Sequence, residues 1–330
     1  MTARHPQRGV ILLGLMLVLI LAVGMFLLQR GNGAAATALD REAKTVAVLN
    51  AAREALLARA VLDSTNPGSL PCPDIKTNNP TFNNTPGDGR ADQLAGNSCP
   101  AYVGWLPWRT LGMNDPRDAS GTSLWYVLSP GFTDGINAVV NSNTPGTLSL
   151  DGQGDIVALI IAPGAALAGQ SRPSNNVADY LDDLNGNPAT SNRDGSNAYF
   201  SGPASSQFND RLIAIDRHTL MNALAPLILG TIRQSVRATG GLLPFADGNG
   251  DGLPDPGNLS GRFPYRYNDP PPPADGDPPL SLDACGGGGP CWYDALLGNG
   301  WFPLLTYTVA EDRASATITL DFNGKTMNLP

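Results

Sequence analysis

Apolar and polar positions divide the chain into stretches of different period. An unbroken, uncharged apolar run extends from Val10 to Leu28. At about 1.5 Å per residue, such a run makes a helix close to the ~30 Å hydrocarbon core of a bilayer. From Asp40 to Leu62 the spacing becomes amphipathic. Val46, Leu49, Leu56, Ala60 and Val61 fall near one helical face, and Arg41, Lys44, Arg53, Glu54 and Arg59 lie mostly elsewhere. Gly31-Asn32-Gly33 separates the two helices, and Asn66-Pro67-Gly68 stops the second. Strand-like runs follow at Ser123 to Leu128, Thr147 to Leu150 and Ile156 to Ala162. A helix followed by an antiparallel meander predicts an α+β fold.

At Asp216 the plan restarts. Asp216 is placed to cap a helix whose face is Leu220, Leu224, Leu227, Ile228, Ile232 and Val236, running to Arg237 and closed by Gly240-Gly241. Leu243-Pro244, an Asp/Gly loop, two cysteines, Gly300-Trp301-Phe302-Pro303 and strands at Leu305 to Val309 and Ala316 to Phe322 come next. The same order occurs earlier as Leu70-Pro71, Asp88-Gly89-Arg90-Ala91-Asp92, Cys99 and Gly104-Trp105-Leu106-Pro107. Two related helix-plus-sheet units are therefore expected, 30–207 and 208–330, after a basic leader at 1–9 and a transmembrane helix at 10–29. Chance punctuation is the competing account. Its strongest support is the Pro-rich insert Asn268 to Asp277, which has no counterpart in the first copy.

Charge sets the orientation. Arg4 and Arg8 precede the apolar run and the first acid after it is Asp40, so the positive-inside bias keeps the N-terminus cytoplasmic. The expected location is a bacterial inner membrane, single pass, with the C-terminal region periplasmic. A formal net charge of -8, with no Lys/Arg cluster after Arg8, argues against nucleic acid as a partner. Four cysteines in an exported segment suit disulfides. Three pairings are open; the local one joins Cys72 to Cys99 and Cys285 to Cys291, and free buried thiols are the alternative.

The order of parts resembles the type IV pilin and type II secretion pseudopilin families, nearest to their minor or pilin-like members. The basic leader ending at Gly9, the apolar run, the helix from Asp40 and the loops Gly68 to Asp74 and Gly104 to Leu111 carry the likeness. So do Leu167 to Ser174 and Phe208-Asn209-Asp210-Arg211. The resemblance implies cleavage by prepilin peptidase between Gly9 and Val10 with methylation of the new N-terminus. It also implies a helix packed on antiparallel sheet, and partnership with other pilin or pseudopilin subunits, inner-membrane assembly components and the membrane. Those families carry Glu at the fifth mature position, which here is Gly14. The departure favours a priming, tip or accessory subunit, because a neighbour's buried charge would lack its counterion.

One motif suggests a metal. In Asp247-Gly248-Asn249-Gly250-Asp251-Gly252-Leu253-Pro254-Asp255, side-chain oxygens alternate at positions one, three and five. Asp247, Asn249, Asp251, the Leu253 carbonyl and Asp255 would hold a structural Ca2+ ion. A plain Asp/Gly turn is the alternative. Asp74, Asp88 and Asp92 form a poorer candidate, as do Asp182, Asp183, Asn185, Asn187 and Asp194. No catalytic constellation is visible around His218, the sole histidine after His5, so an enzyme is not expected. Trp105, Trp108 and Trp125 suit either a sugar-binding platform or a buried core. Two functions are carried forward. The first is a structural or accessory subunit of a pilus or pseudopilus; the second is a tethered binding or adhesion module for a ligand such as glycan.

Overall fold

The computed structural model describes residues 36–63, 65–75, 87–135, 138–174, 176–238, 242–265, 280–282 and 292–329. The chain falls into two compact units, Met1–Ala47 and Val48–Pro330. In the first, the described residues 36–47 are helical and Leu39 and Val46 are exposed. This helix, α1, runs over 36–62, and the remainder of it belongs to the larger unit.

Within that larger unit, Leu49, Ala52, Leu56 and Ala60 recur on one helical face and are buried. Val46, expected on the same face, is 44% exposed. The stop at Gly68 has a physical basis. Its N–H donates to the Ala60 carbonyl at 2.9 Å, its φ is +97°, and a Cβ there would meet Leu224 and Val140 at 2.9 Å. Arg53 ties the helix to the sheet by donating Nε to the Ala214 carbonyl at 3.1 Å.

The first sheet comprises β1 (Val103–Trp105), β2 (Trp125–Leu128), β3 (Leu148–Leu150), β4 (Gln153–Ala162), β5 (Ala198–Tyr199) and β6 (Arg211–Asp216). Its backbone is the antiparallel series β1-β2-β4-β6; β3 pairs with β4 and, in parallel, with β5. Every residue from Ile156 to Ala162 is buried, because β4 is covered on both faces. One face packs Tyr126, Leu128, Val157, Ala158 and Ile160 against α1 and α2 (Arg217–Ser235). The other packs Trp105, Trp125, Val127, Leu159 and Ile161 under the segment between β4 and β6.

Asp216 caps α2 as expected, accepting the Thr219 N–H at 2.7 Å and its hydroxyl at 2.8 Å. After α2 come β7 (Val236–Ala238), β8 (Ser260–Arg262), β9 (Leu280–Leu282), α3 (Trp292–Gly298), β10 (Leu305–Val309), β11 (Ala316–Leu320) and β12 (Thr326–Leu329). β7 pairs with β9 alone, and β8-β10-β11-β12 form a second antiparallel sheet. Its inward residues Leu305, Tyr307, Val309, Ile318 and Leu320 join the same core as α1 and α2. β6, which a boundary at 207/208 assigns to the second copy, completes the first meander instead.

The membrane-spanning part of the expected fold is corrected. Among the described residues no helix is long and apolar enough to cross a membrane. α1 is too charged from Arg41 onward, and α2 carries Arg217, His218, Arg233 and an internal Pro226 while burying its apolar face against protein. The expected single-pass inner-membrane placement loses its structural basis with that finding. The run Val10 to Leu28 lies outside the described residues, as do Gly9 and the Gly240-Gly241 helix stop. What the structure shows is an α+β protein with two antiparallel meanders.

Cys72 and Cys99 form a disulfide that closes a loop of sequence separation 27, and both are buried. Cys285 and Cys291 lie outside the described residues. Closing a loop of that length removes denatured-state entropy worth about 3 kcal/mol. The paired substitution Cys72→Ser with Cys99→Ser is expected to lower unfolding free energy by that amount in urea titrations; a change below about 1 kcal/mol would refute the assignment.

Candidate functional site

Two Asp-Gly loops share one hydrogen-bond scheme. In the first, Asp74 exchanges backbone hydrogen bonds with Trp105 at 2.9 and 2.8 Å, and its carboxylate accepts the N–H groups of Gly87 and Gly89, both at 2.7 Å. In the second, Asp247 exchanges backbone hydrogen bonds with Arg262 at 3.0 and 2.7 Å, and its carboxylate accepts the N–H groups of Gly250 and Gly252 at 2.5 and 2.8 Å. Further matches follow. Asp92 accepts the Ile75 N–H at 2.8 Å where Asp255 accepts the Gly248 N–H at 2.7 Å. Asp88 accepts the Arg90 N–H at 2.8 Å where Asp251 accepts the Leu253 N–H at 2.8 Å. Gly87, Gly89, Gly250 and Gly252 all have positive φ, which lets the backbone turn its N–H groups inward.

The repeated unit in sequence is therefore Leu-Pro-x-x-Asp, then Gly-Asp-Gly-x-x-Asp, then Gly-x-apolar-Pro-aromatic. The last element is Gly104-Trp105-Leu106-Pro107-Trp108 in the first copy and Gly261-Arg262-Phe263-Pro264-Tyr265 in the second. The Trp108 N–H donates to Leu106 and the Tyr265 N–H to Phe263, at 2.8 and 2.9 Å. Gly300-Trp301-Phe302-Pro303, the match expected from sequence, instead precedes β10. A Cβ on Gly104 or Gly261 would strike the Asp74 or Asp247 carbonyl oxygen at 2.9 or 2.3 Å, which explains both glycines.

Strand register extends the equivalence. The outward row Trp105, Trp125, Ile161 and Leu212 corresponds to Arg262, Thr306, Thr319 and Thr326. The next row, Val103, Val127, Leu159 and Ala214, corresponds to Ser260, Thr308, Thr317 and Asn328. The same frame thus presents an apolar outer face in the first copy and a hydroxyl-rich one in the second.

Among the described residues only the first outer face is covered, by the segment between β4 and β6. Trp105 and Trp125 pack as a tilted pair with centroids 4.5 Å apart, and Tyr180 from the cover meets them at 4.8 and 5.4 Å. Trp108 stands apart from this cluster, under the Arg109 guanidinium at 4.9 Å. Arg172 lies 4.7 Å above the Tyr180 ring and donates to the carbonyls of Gly164, Asp179 and Tyr180. A cleft of about 420 Å³ remains between cover and sheet, walled by Trp105, Trp125, Val177 and Tyr199, with Arg193 and Asp194 among its polar residues.

The acidic residues expected as a third metal candidate do separate work. Asp182 accepts the Asn209 N–H and the Gln170 amide, both at 2.8 Å; Asp183 pairs with Arg193; Asn187 accepts the Ala189 N–H. Asn185 turns the chain with φ +56°, and Asp194 accepts the Ser196 N–H. His218 lies tilted against Phe322 and bonds Asn222, at the surface. Among the described residues no group of three His, Cys, Asp or Glu side chains stands together to hold a metal. In the Asp247 loop the oxygens of Asp247, Asn249, Asp251 and Asp255 all accept N–H groups. A carboxylate offers about four lone-pair directions, so this bonding leaves capacity for a hard cation.

No protein-family model matches the chain, and no curated protein or solved structure matches it.

Burial shapes the acid chemistry. Asp210 is fully buried, with one oxygen accepting the Asp182 N–H and the Asn192 amide, both at 2.9 Å. Burial, with the Asp182 charge beside it, pushes its carboxyl up to about 8 against those hydrogen bonds and Arg172. Asp74 is raised to about 6 by burial, opposed by the Gly89 and Gly87 donors. A carboxyl raised in the folded state binds more protons folded than unfolded, so stability falls as pH rises from 3.8 to about 8. Asp210→Asn is expected to flatten that decline and to raise the melting temperature more at about pH 8 than at about pH 5. Equal shifts at both pH values would show that Asp210 is ionised throughout.

Proposed function

We propose that this chain is a structural or accessory subunit of a pilin-like or pseudopilin-like assembly, working through contacts with other subunits and not through catalysis. The observation that carries the reading is the seating of residues 48–62 on the antiparallel series β1-β2-β4-β6, with Leu49, Ala52, Leu56 and Ala60 buried against it. A helix seated on an antiparallel sheet supports that reading. The Gly9-Val10 junction would be cut by prepilin peptidase, and the partners would be other pilin or pseudopilin subunits with their assembly components. N-terminal sequencing of the protein from its native cells should begin at Val10, and replacing Gly9 by a bulky residue should abolish both cleavage and co-purification with such subunits. A mature chain starting elsewhere would overturn the reading.

The Asp247 loop would carry a structural calcium ion in this head, ligated by Asp247, Asn249, Asp251, Asp255 and the Leu253 carbonyl. A ligand bound only by the folded state raises stability by mass action. Chelation should then lower the melting temperature and added calcium restore it. An unchanged value would mean that the loop's own hydrogen bonds suffice.

A further inference from the structure

We propose that the cleft under residues 163–210 binds a neutral saccharide of one or two rings. The first support is the contrast between the copies. Where β11 and β12 are joined through 321–325, β4 and β6 are joined through 163–210, and only the copy with that long connection has an apolar outer face. Two coordinated changes to one duplicated frame, an apolar row and a cover above it, build a cavity that the plain copy lacks.

The second support is the chemistry of the cleft, about 420 Å³ in volume. Trp105, Trp125 and Tyr199 are buried and bring only ring edges to its floor, where Val103 and Val177 complete an apolar surface for the C–H groups of a sugar ring. Asn176, Arg193 and Asp194 line the same cleft, and all three are exposed. Arg193 is fixed by Asp183 through Nε and Nη2, leaving Nη1 without an acceptor among the described residues. Asn176 uses its carbonyl oxygen to cap Ala178, which leaves the amide donors, and Asp194 uses one oxygen on Ser196. A fixed guanidinium, an amide and a carboxylate above an apolar floor offer donors and acceptors for vicinal hydroxyls. Among the described lining residues Arg193 is the one cation, offset by Asp183 and outweighed with Asp194, so this lining favours a neutral sugar over an anionic ligand.

The proposal does not rest on assembly into a filament. Its test is titration of the full chain with maltose, cellobiose and N,N′-diacetylchitobiose, read by tryptophan fluorescence and calorimetry. At least one should bind saturably, with a dissociation constant near ~1 mM. Asp194→Ala, an exposed substitution, should weaken that binding by about tenfold with an unchanged melting temperature, as should Asn176→Asp, which keeps the oxygen that caps Ala178 and removes the amide donors. Ser260→Ala, on the hydroxyl-rich outer face, should leave it unchanged. Absence of saturable binding by all three sugars, or binding equal in wild type and both cleft variants, would overturn it.

Discussion

Buried aspartate carboxylates take the place of secondary structure through much of this protein. Among the described residues every buried side chain of the Asp, Glu, Lys, Arg and His types is an aspartate: Asp63, Asp74, Asp92, Asp118, Asp182, Asp183, Asp210 and Asp247. A chain with 38 glycines and 29 prolines forms long irregular stretches whose N–H groups still need acceptors when buried. Aspartate is short and, when ionised, accepts only and takes several donors at once. Asp118 gathers the N–H groups of Ser120, Thr122 and Gly164, and Asp63 gathers those of Thr65 and Asn66. Remove such an acceptor and each stranded donor costs about 1–3 kcal/mol, which is why the loops keep one shape.

The duplicated frame follows from the same device. Asp74 and Asp247 each fold a glycine-rich loop over their own carboxylate and present a backbone edge to the first strand of a meander. The two helices then share one core with both sheets. With the frame fixed, the outer faces are free to diverge. Threonines at Thr306, Thr308, Thr317 and Thr319 leave one face wet, while Trp105, Trp125 and Ile161 require a cover on the other. That cover is itself held by aspartates, with Asp182 and Asp210 joining the segments around Gln170, Asn192 and Asn209.

Much of the frame was legible in the sequence because period and punctuation act locally. Leu49, Leu56 and Ala60, the Gly68 stop, the Asp216 cap and the strands Ile156 to Ala162 and Leu305 to Val309 all signal themselves within a few residues. β6 did not, since its place is set by pairing with β4, far from it in sequence. The repeat was visible as an order of parts but misaligned at Gly300-Trp301, because Gly-Trp resembled Gly104-Trp105 more than Gly261-Arg262 does. Residue identity at that position follows the covering of the outer face, whereas backbone pairing with the aspartate follows the fold. The cleft was legible only as tryptophans without a location. Trp105 and Trp125 meet through strand register and Trp108 does not, which spacing alone cannot reveal.

Amide hydrogen exchange on the full chain tests the role of the carboxylates most directly. Gly87, Gly89, Gly250 and Gly252 lie in loops, yet their N–H groups donate to Asp74 and Asp247. Protection of these four amides at a level approaching that of the meander strands is predicted. In Asp247→Ala, Gly250 and Gly252 alone should lose it while Gly87 and Gly89 stay protected. Exchange of all four at the rate of open loops in the unmodified protein would contradict the account.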